Sequence, residues 1–479
     1  MNPCHTNLSR VFCCSVAAVL ALAAAWAGAA CGDDVDRIRP YAENPFFWQY
    51  KGSPVLLLGG SGQDNLFNHP TGLVPGDTLE AHLDLLVSAG GNYVRNTMSD
   101  RDEGNVYAFA RMGDQYDLDV WNEEYWRRFE SFLRLAAERD VIVQIELWDM
   151  WDLVRDRWSR HPFNPRNNIN YTAVESGLLT EVSFDPAEEP TEHNFLHTVP
   201  ELENNTLVLG YQEAFVDRVL EISLPFPNVL YCINNESGEP PEWSRHWAER
   251  IHGRAEELGV TAQVTDMRRR EDITHATHRT VYDDTEVYTF ADVSQNTGHQ
   301  IRDRRLQYRR LLEVRGYLAD APRPINNVKI YNDHFGGAPK FMRNVFAGLA
   351  STRFHRPVPW NGGTRGLGLS DEAQQILRAV RTFTDAADWF VMEPGPELLS
   401  HDDGVYLMVE PGRQYALGFD GGGSVELDAS ALPGPAELQW MNFHAGEWID
   451  GGRVEPGPIA LQTPGDGLWM ARIRPLTQP

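Results

Sequence analysis

From Arg37 to about Asp385, short apolar runs alternate with longer amphipathic segments, the rhythm of repeated β/α units. The runs are "PVLLLGG" from Pro54, "NYVRN" from Asn92, "VIVQIELW" from Val141, "NVLYCIN" from Asn228, "VTAQVT" from Val260, "EVYTFA" from Glu286, "INNVKIY" from Ile325 and "TRFH" from Thr352. Eight strands are enough to close a barrel. Between them, "TLEAHLDLLVSAG" ends in a helix-stopping glycine, and "NEEYWRRFESFLRLAAERD" sets Trp126, Phe129, Phe132 and Leu133 on one helical face. The link between strands five and six has the weakest helical signal. After "TFTDAADWFVMEPGPELLS" the period changes to short alternating runs, "GVYLMVEP", "QYALGFD", "SVELDA", "AELQWMN" and "LWMARI", separated by glycine and proline. The predicted fold class is α/β: a (β/α)8 TIM barrel over residues 37–385, followed by a small antiparallel β-sandwich domain over residues 391–479.

The first 30 residues break this pattern. A polar start with Arg10, an apolar run from Val11 to Trp26 and small residues before Cys31 predict a secretory signal, too short for a membrane span. Cleavage after "AGA" gives a soluble exported protein, whereas "GAAC" followed by "GDD" resembles a bacterial lipoprotein signal that lipidates Cys31. The expected location is therefore periplasmic, outer-membrane or extracellular, with lipid on Cys31 the only predicted tie to a membrane. After cleavage the remaining cysteines, Cys232 and a retained Cys31, build no disulfide framework and no cysteine metal site.

Composition narrows the partners. Of 479 residues, 42% are apolar and 11% aromatic, which predicts a packed globular protein. The formal charge of -26 argues against nucleic acid and anionic lipid, both of which demand basic patches. Lysine occurs only at Lys51, Lys329 and Lys340, so a lysine in a special place stands out.

Barrel enzymes place their working groups where strands end. Strand two ends at Arg95 and Asn96, strand three at Glu146, Trp148 and Asp149, strand four at Asn235 and Glu236, and strand five near Asp266. Strand six ends at Asp292, Gln295 and Asn296, strand seven at Lys329, Tyr331 and Asp333, and strand eight at Arg353, His355 and Arg356. The longest insertion follows strand three, from Asp149 to about Asn205, and carries Trp151, Trp158, Phe163, His193 and Phe195. Trp148, Trp151, Trp158 and Trp360 suit stacking on sugar faces, with core filling the competing reading. Arg353, His355, Arg356 and Lys329 form a cationic group in an acidic chain, the chemistry that holds a carboxylated or sulfated sugar. No metal or other cofactor is expected.

The Asn-Glu pair closing strand four resembles the acid/base signature of the retaining glycoside hydrolases of clan A. That resemblance implies that Glu236 protonates the leaving glycosidic oxygen and that Asn235 binds a neighbouring sugar hydroxyl. A carboxylic acid in an apolar setting keeps a proton at neutral pH, and a sugar leaves poorly without one. Arg95 in "GNYVRN" matches the clan's arginine that orients the nucleophile. Strand seven departs from the clan: "RPINNVKIYNDHFGG" puts Lys329 where the nucleophilic glutamate belongs. Asp292 and Asp333, then Glu146, are the candidates for the second carboxylate. A gap to Glu236 of about 5 Å implies retention, and one of about 6.5–9.5 Å inversion.

The segments "NPFFWQYKGSPVLLLGGS", "YDLDVWNEEYWRRFESFLRLAAERDVIVQIELW" and "GRQYALGFDGGGSVELDASALPGPAELQWMNFHAGEW" are similar to the apiosidase-like barrel family with its C-terminal β domain labelled collagen-binding. This likeness spans about Arg39 to Leu476. It implies a carbohydrate-active barrel, with the β domain a packing partner or a sugar-binding accessory. The leading expectation is an exported glycoside hydrolase acting on a polysaccharide or oligosaccharide. The alternative is a carbohydrate-binding protein on a barrel that lost its nucleophile to Lys329.

Overall fold

The computed structural model describes residues 34–68, 78–99, 106–182, 193–236, 238–297, 303–331, 337–356 and 367–476. The expected signal segment, with Cys31, lies outside these residues. Eight strand positions follow the predicted order: β1 (Leu57–Ser61), β2 (Tyr93–Thr97), β3 (Ile142–Asp149), β4 (Val229–Asn235), β5 (Val264–Thr265), β6 (Ala291–Asp292), β7 (Ile325–Asn326, then Ile330–Tyr331) and β8 (Ser351–His355). One curled parallel sheet joins seven of them in the order β5-β4-β3-β2-β1-β8 and the second piece of β7, while β6 pairs in parallel with the first piece. Backbone bonds from Thr289 N to Val264 O and from Ala350 N to Ile325 O, each 2.9 Å, link that pair to β5 and β8. The result is TIM-like.

The strands bury both faces, as parallel strands under helices do. Outward residues such as Val94, Val143, Ile145 and Ile233 join the helix layer, where Asn122 caps Glu123–Ala137 by accepting from Glu124 N at 3.2 Å. Inward residues Leu57, Tyr93, Ile142, Leu230, Phe290 and Val328 fill the ring. Trp48 closes its lower end, with its indole N–H donated to Asn326 Oδ1 at 2.9 Å. The glycine in "LLLGG" has a steric reason: a Cβ on Gly59 would sit 1.8 Å from Tyr93 O, so only glycine lets β1 and β2 pair there.

The strand boundaries shifted in three places. Ser53–Val55 belongs to an antiparallel sheet with Arg39–Pro40 and Trp48–Tyr50, not to β1. β6 is two residues long and begins where the predicted run ends. β7 is broken because Asn327 Oδ1 accepts from Lys329 N at 3.0 Å, a local side-chain turn that competes with the ladder. A hairpin, Phe109–Met112 with Gln115–Trp121, precedes the third-strand helix and was not expected. The weak link between β5 and β6 does carry a short helix, Ala276–Tyr282.

Beyond Asp385 the chain forms a six-stranded antiparallel sheet and a separate two-stranded one, Ser424–Asp428 with Pro458–Gln462. Leu407, Leu417 and Ile473 meet Val425, Leu427 and Leu461 in one apolar cluster. The neighbouring residues in the alternation, Tyr406, Met408, Met441 and Met470, join the core of the barrel instead. Phe383, on the last barrel helix (Asp371–Asp385), stacks on Trp448 at 5.6 Å.

Candidate active site

At the C-terminal end of β4, all seven strand residues are buried and the chain turns at Glu236, whose φ is 62°. The break in β7 releases Lys329 toward it. Lys329 Nζ lies 2.5 Å from Glu236 Oε1, and the Trp151 indole N–H donates to Oε2 at 2.7 Å. Burial alone would raise the Glu236 carboxyl; the Lys329 ammonium, the Trp151 bond and Arg95 outweigh it and hold the group down at about 2. The expectation that an apolar setting keeps a proton on Glu236 therefore fails. This side chain is a carboxylate, because an ammonium lies against it.

Beside this pair runs a second ionic chain. Arg95 donates from Nε to Glu146 Oε1 at 2.7 Å and from a terminal nitrogen to Asp64 Oδ1 at 3.1 Å. Arg356 donates to Asp64 Oδ2 at 2.5 Å. Burial works against charge on Arg95, but Glu146 and Asp64 overcome it and raise its pKa. Burial, then the Arg356 charge, drives His355 well below its ordinary value, so this imidazole is neutral; it lies 3.5 Å from Arg95 and packs its ring against Tyr331 at 4.7 Å.

Asp292 closes β6 and is 2% exposed. Its Oδ1 accepts from Ser294 N at 2.8 Å, while Oδ2 has no hydrogen-bond partner among the described residues. Burial raises this carboxyl to about 6; the Ser294 bonds and Lys329 oppose the rise, and Glu146 adds to it. Lys329 lowers both carboxyl groups, but it lies against Glu236, while burial prevails at Asp292, so their proton affinities are pushed apart.

The remaining predicted residues divide. Asn235 is buried beside Glu236, and its Oδ1 has no partner among the described residues. Asp149 caps the turn that carries Trp151, accepting from Trp151 N at 2.9 Å. Gln295 is half-buried against Met267, and Asn296 spends its amide on Gln307 O at 3.0 Å. Asp266 is tied to Ser244 and Arg268. Asp333 and Trp360 lie outside the described residues.

Two expectations are corrected. Trp148 and Trp158 are not at the mouth: Trp148 sits among Phe163, Phe195, Phe215, Trp243 and Trp247, and Trp158 is fully buried with its N–H on Leu179 O. Helices supply enough aromatic surface to absorb them. Nor is there an open cationic patch, because Arg353 is fully buried and donates to Val328 O at 2.7 Å and to Ser61, and burial lowers it to about 9. Lys329 and Arg356 each face a carboxylate. Asp64 escaped the sequence reading, since "GGSGQDN" after strand one shows no periodicity; its signal was an acid just beyond a strand end.

No family model matches the chain, and no curated protein matches it. The fold has solved relatives. A glycoside hydrolase family 5 protein from Bacteroides vulgatus superposes with a TM-score of 0.63 at 12% identity, covering 93% of this chain and 94% of that one. A second glycoside hydrolase of that organism, described as putative, gives 0.63 at 11% identity over 92% of this chain and 83% of its own. A family 5 mannosidase from Rhizomucor miehei, solved with mannosyl-fructose, gives 0.51 at 14% identity, covering 73% of this chain and 97% of that one. The chain therefore has the fold of glycoside hydrolases of the family 5 type. The apiosidase-like likeness gains nothing from these comparisons.

Proposed function

We propose that this chain is a glycoside hydrolase, cleaving O-glycosidic bonds of a polysaccharide or oligosaccharide after export, free or lipidated at Cys31. The observation that carries the reading is the contrast between two buried acids at the ends of β4 and β6: Glu236 lies against the Lys329 ammonium and the Trp151 N–H and is held ionised, whereas Asp292 accepts from Ser294 N, has one oxygen without a partner among the described residues, and is raised by burial to about 6. Environments that drive two carboxyl groups apart assign acid and base roles. Asp292 is the proton donor to the leaving oxygen. Glu236 is the anion that faces charge developing at the anomeric carbon, as nucleophile or as stabiliser. Lys329 and Trp151 each use one direction of a carboxylate oxygen, which leaves further lone pairs for the substrate. Glu146 remains an orienting partner of Arg95, and Asn235 a sugar-hydroxyl ligand.

One observation favours a second reading. The Lys329–Glu236 pair spends the strand-four carboxylate on an ammonium at the place of the second acid, which suits a barrel that binds glycans without cutting them. Reducing-sugar release and calorimetric binding on one glycan panel separate the two. Turnover by the wild type that Glu236→Gln abolishes supports the hydrolase. Binding without turnover across the panel supports the binder.

A further inference from the structure

Behind the turn that follows β4 a second pair of acids is buried. Glu239 and Asp266 are each 1% exposed. The Ser244 hydroxyl, on the helix Pro241–Glu257, lies 2.8 Å from Glu239 Oε1 and 2.9 Å from Asp266 Oδ2. A serine hydroxyl carries one hydrogen and donates to one of these oxygens only. The other, at nearly the same distance, faces oxygen lone pairs unless it brings a hydrogen itself. Two carboxyl groups around one hydroxyl therefore call for one additional proton.

The backbone is anchored at the same place. Arg268 donates to Glu239 O at 2.8 Å, and Asn234 Nδ2 reaches Glu239 Oε2 at 3.3 Å. Three residues earlier, Glu236 occupies the left-handed region, which a non-glycine residue keeps only when its surroundings hold it there. We infer that Glu239, Ser244 and Asp266 share one proton and that the protonated cluster positions Glu236. The inference rests on Glu236 being the working carboxylate of the mouth.

The groups facing the cluster are consistent with a retained proton. Arg268, from the chain after β5, stands 3.3 Å from Asp266 Oδ2 and 3.8 Å from Glu239 Oε1. Tyr288 approaches from the segment before β6 and Cys232 from β4; burial first, then the nearby carboxylates, push both upward, so both are neutral. Burial raises Glu239 to about 7, the Asp266 charge adds to this, and Arg268 opposes it. Loss of the proton leaves two carboxylates against one hydroxyl, beside the Arg268 guanidinium.

The test compares wild type with Glu239→Gln and Asp266→Asn, since either amide can supply the missing N–H. Thermal unfolding is followed from pH 4 to 9, together with the indole N–H resonance of Trp151 in tryptophan-labelled protein, assigned through Trp151→Phe. In wild type the raised carboxyl stabilises the fold at low pH, and that stability is lost as pH rises from 4.5 through about 7. The Trp151 resonance, which senses the Glu236 contact, moves in the same window. Both changes shrink in at least one of the two amide variants to the part that Asp292, raised to about 6, contributes in every variant. Unchanged profiles in both variants overturn the shared proton, and a Trp151 resonance that ignores this window overturns the positioning role. Neither readout requires turnover, so a chain that cleaves no glycan leaves this outcome distinct.

Discussion

Lys329 Nζ and Glu236 Oε1 lie 2.5 Å apart, joining two strand ends 93 positions apart in sequence. Both side chains are largely buried, 3% and 16% exposed. Removing the cation leaves a desolvated carboxylate, so Lys329→Met should cost about 3–5 kcal/mol of stability, and adding Glu236→Gln should recover part of it. Denaturant titration of the two single variants and the double variant measures the coupling. Additive losses would falsify the pairing.

The same contact sets an acid dependence. The folded-state pKa of Glu236 lies below its ordinary value of 4.5, so its ionised form contributes stability above that pH, and the contribution fades as pH falls toward 2. The full effect is on the order of 3 kcal/mol. Asp292 titrates in the opposite sense, losing stability as pH rises from 3.8 to about 6, so the two must be separated by difference. Melting temperature measured from pH 2 to 6 should fall more steeply toward acid in wild type than in Glu236→Gln. Parallel curves would mean that the carboxylate gains nothing from Lys329.

If Asp292 delivers the proton, its loss should matter in proportion to how badly the leaving group needs one. Asp292→Asn should reduce turnover of unactivated oligosaccharides by roughly 10²–10⁴-fold while sparing aryl glycosides with acidic phenols. The wild-type rate should also decline above about pH 6 as Asp292 ionises. An equal loss on both substrate types would move the acid role elsewhere.

Trp151 offers a milder perturbation of the same centre. Its N–H is one of two donors to Glu236 among the described residues, and hydrogen bonds to charged groups contribute roughly 1.5–3 kcal/mol. Trp151→Phe keeps an aromatic ring and removes the donor, so the Glu236 pKa should rise from about 2 toward its ordinary value without loss of fold. Carbon NMR of labelled glutamate reads this directly; an unmoved titration would show that Lys329 and Arg95 set the value without Trp151.

What could be read from the chain follows from range. Glu236 was visible because a buried apolar strand ended on a charge, and Arg95, Asp292 and Lys329 were visible for the same reason. Which of them pair was not, since ion pairs between strands depend on barrel register rather than on local pattern. The proton state of Glu236 was misjudged for that reason. Trp148 was misplaced because position in a strand says little about which helices will cover it, and Phe215, Trp243 and Trp247 come from segments far along the sequence. The break in β7 had a local cue, the two asparagines of "INNVK", whose side chains can capture backbone groups.

The β domain was drawn as a separate unit, yet its sheet shares the barrel's core, and one buried carboxylate ties the two. Asp420 accepts from Arg343 at 2.6 Å, from the Tyr406 hydroxyl at 2.5 Å and from Arg304 at 2.9 Å; Arg343 also donates to Gln307 at 2.9 Å. Arg343 is buried on the helix Gly337–Phe346, so Asp420→Ala leaves its guanidinium without that counter-charge and should cost about 3–5 kcal/mol. Because Met408, Met441 and Met470 pack in the same cluster as Phe346 and Phe383, calorimetry of the wild type should show one cooperative transition, and Asp420→Ala should lower it without splitting it. Two independent transitions in the wild type would show that the shared core does not couple the barrel to the sheet that covers it.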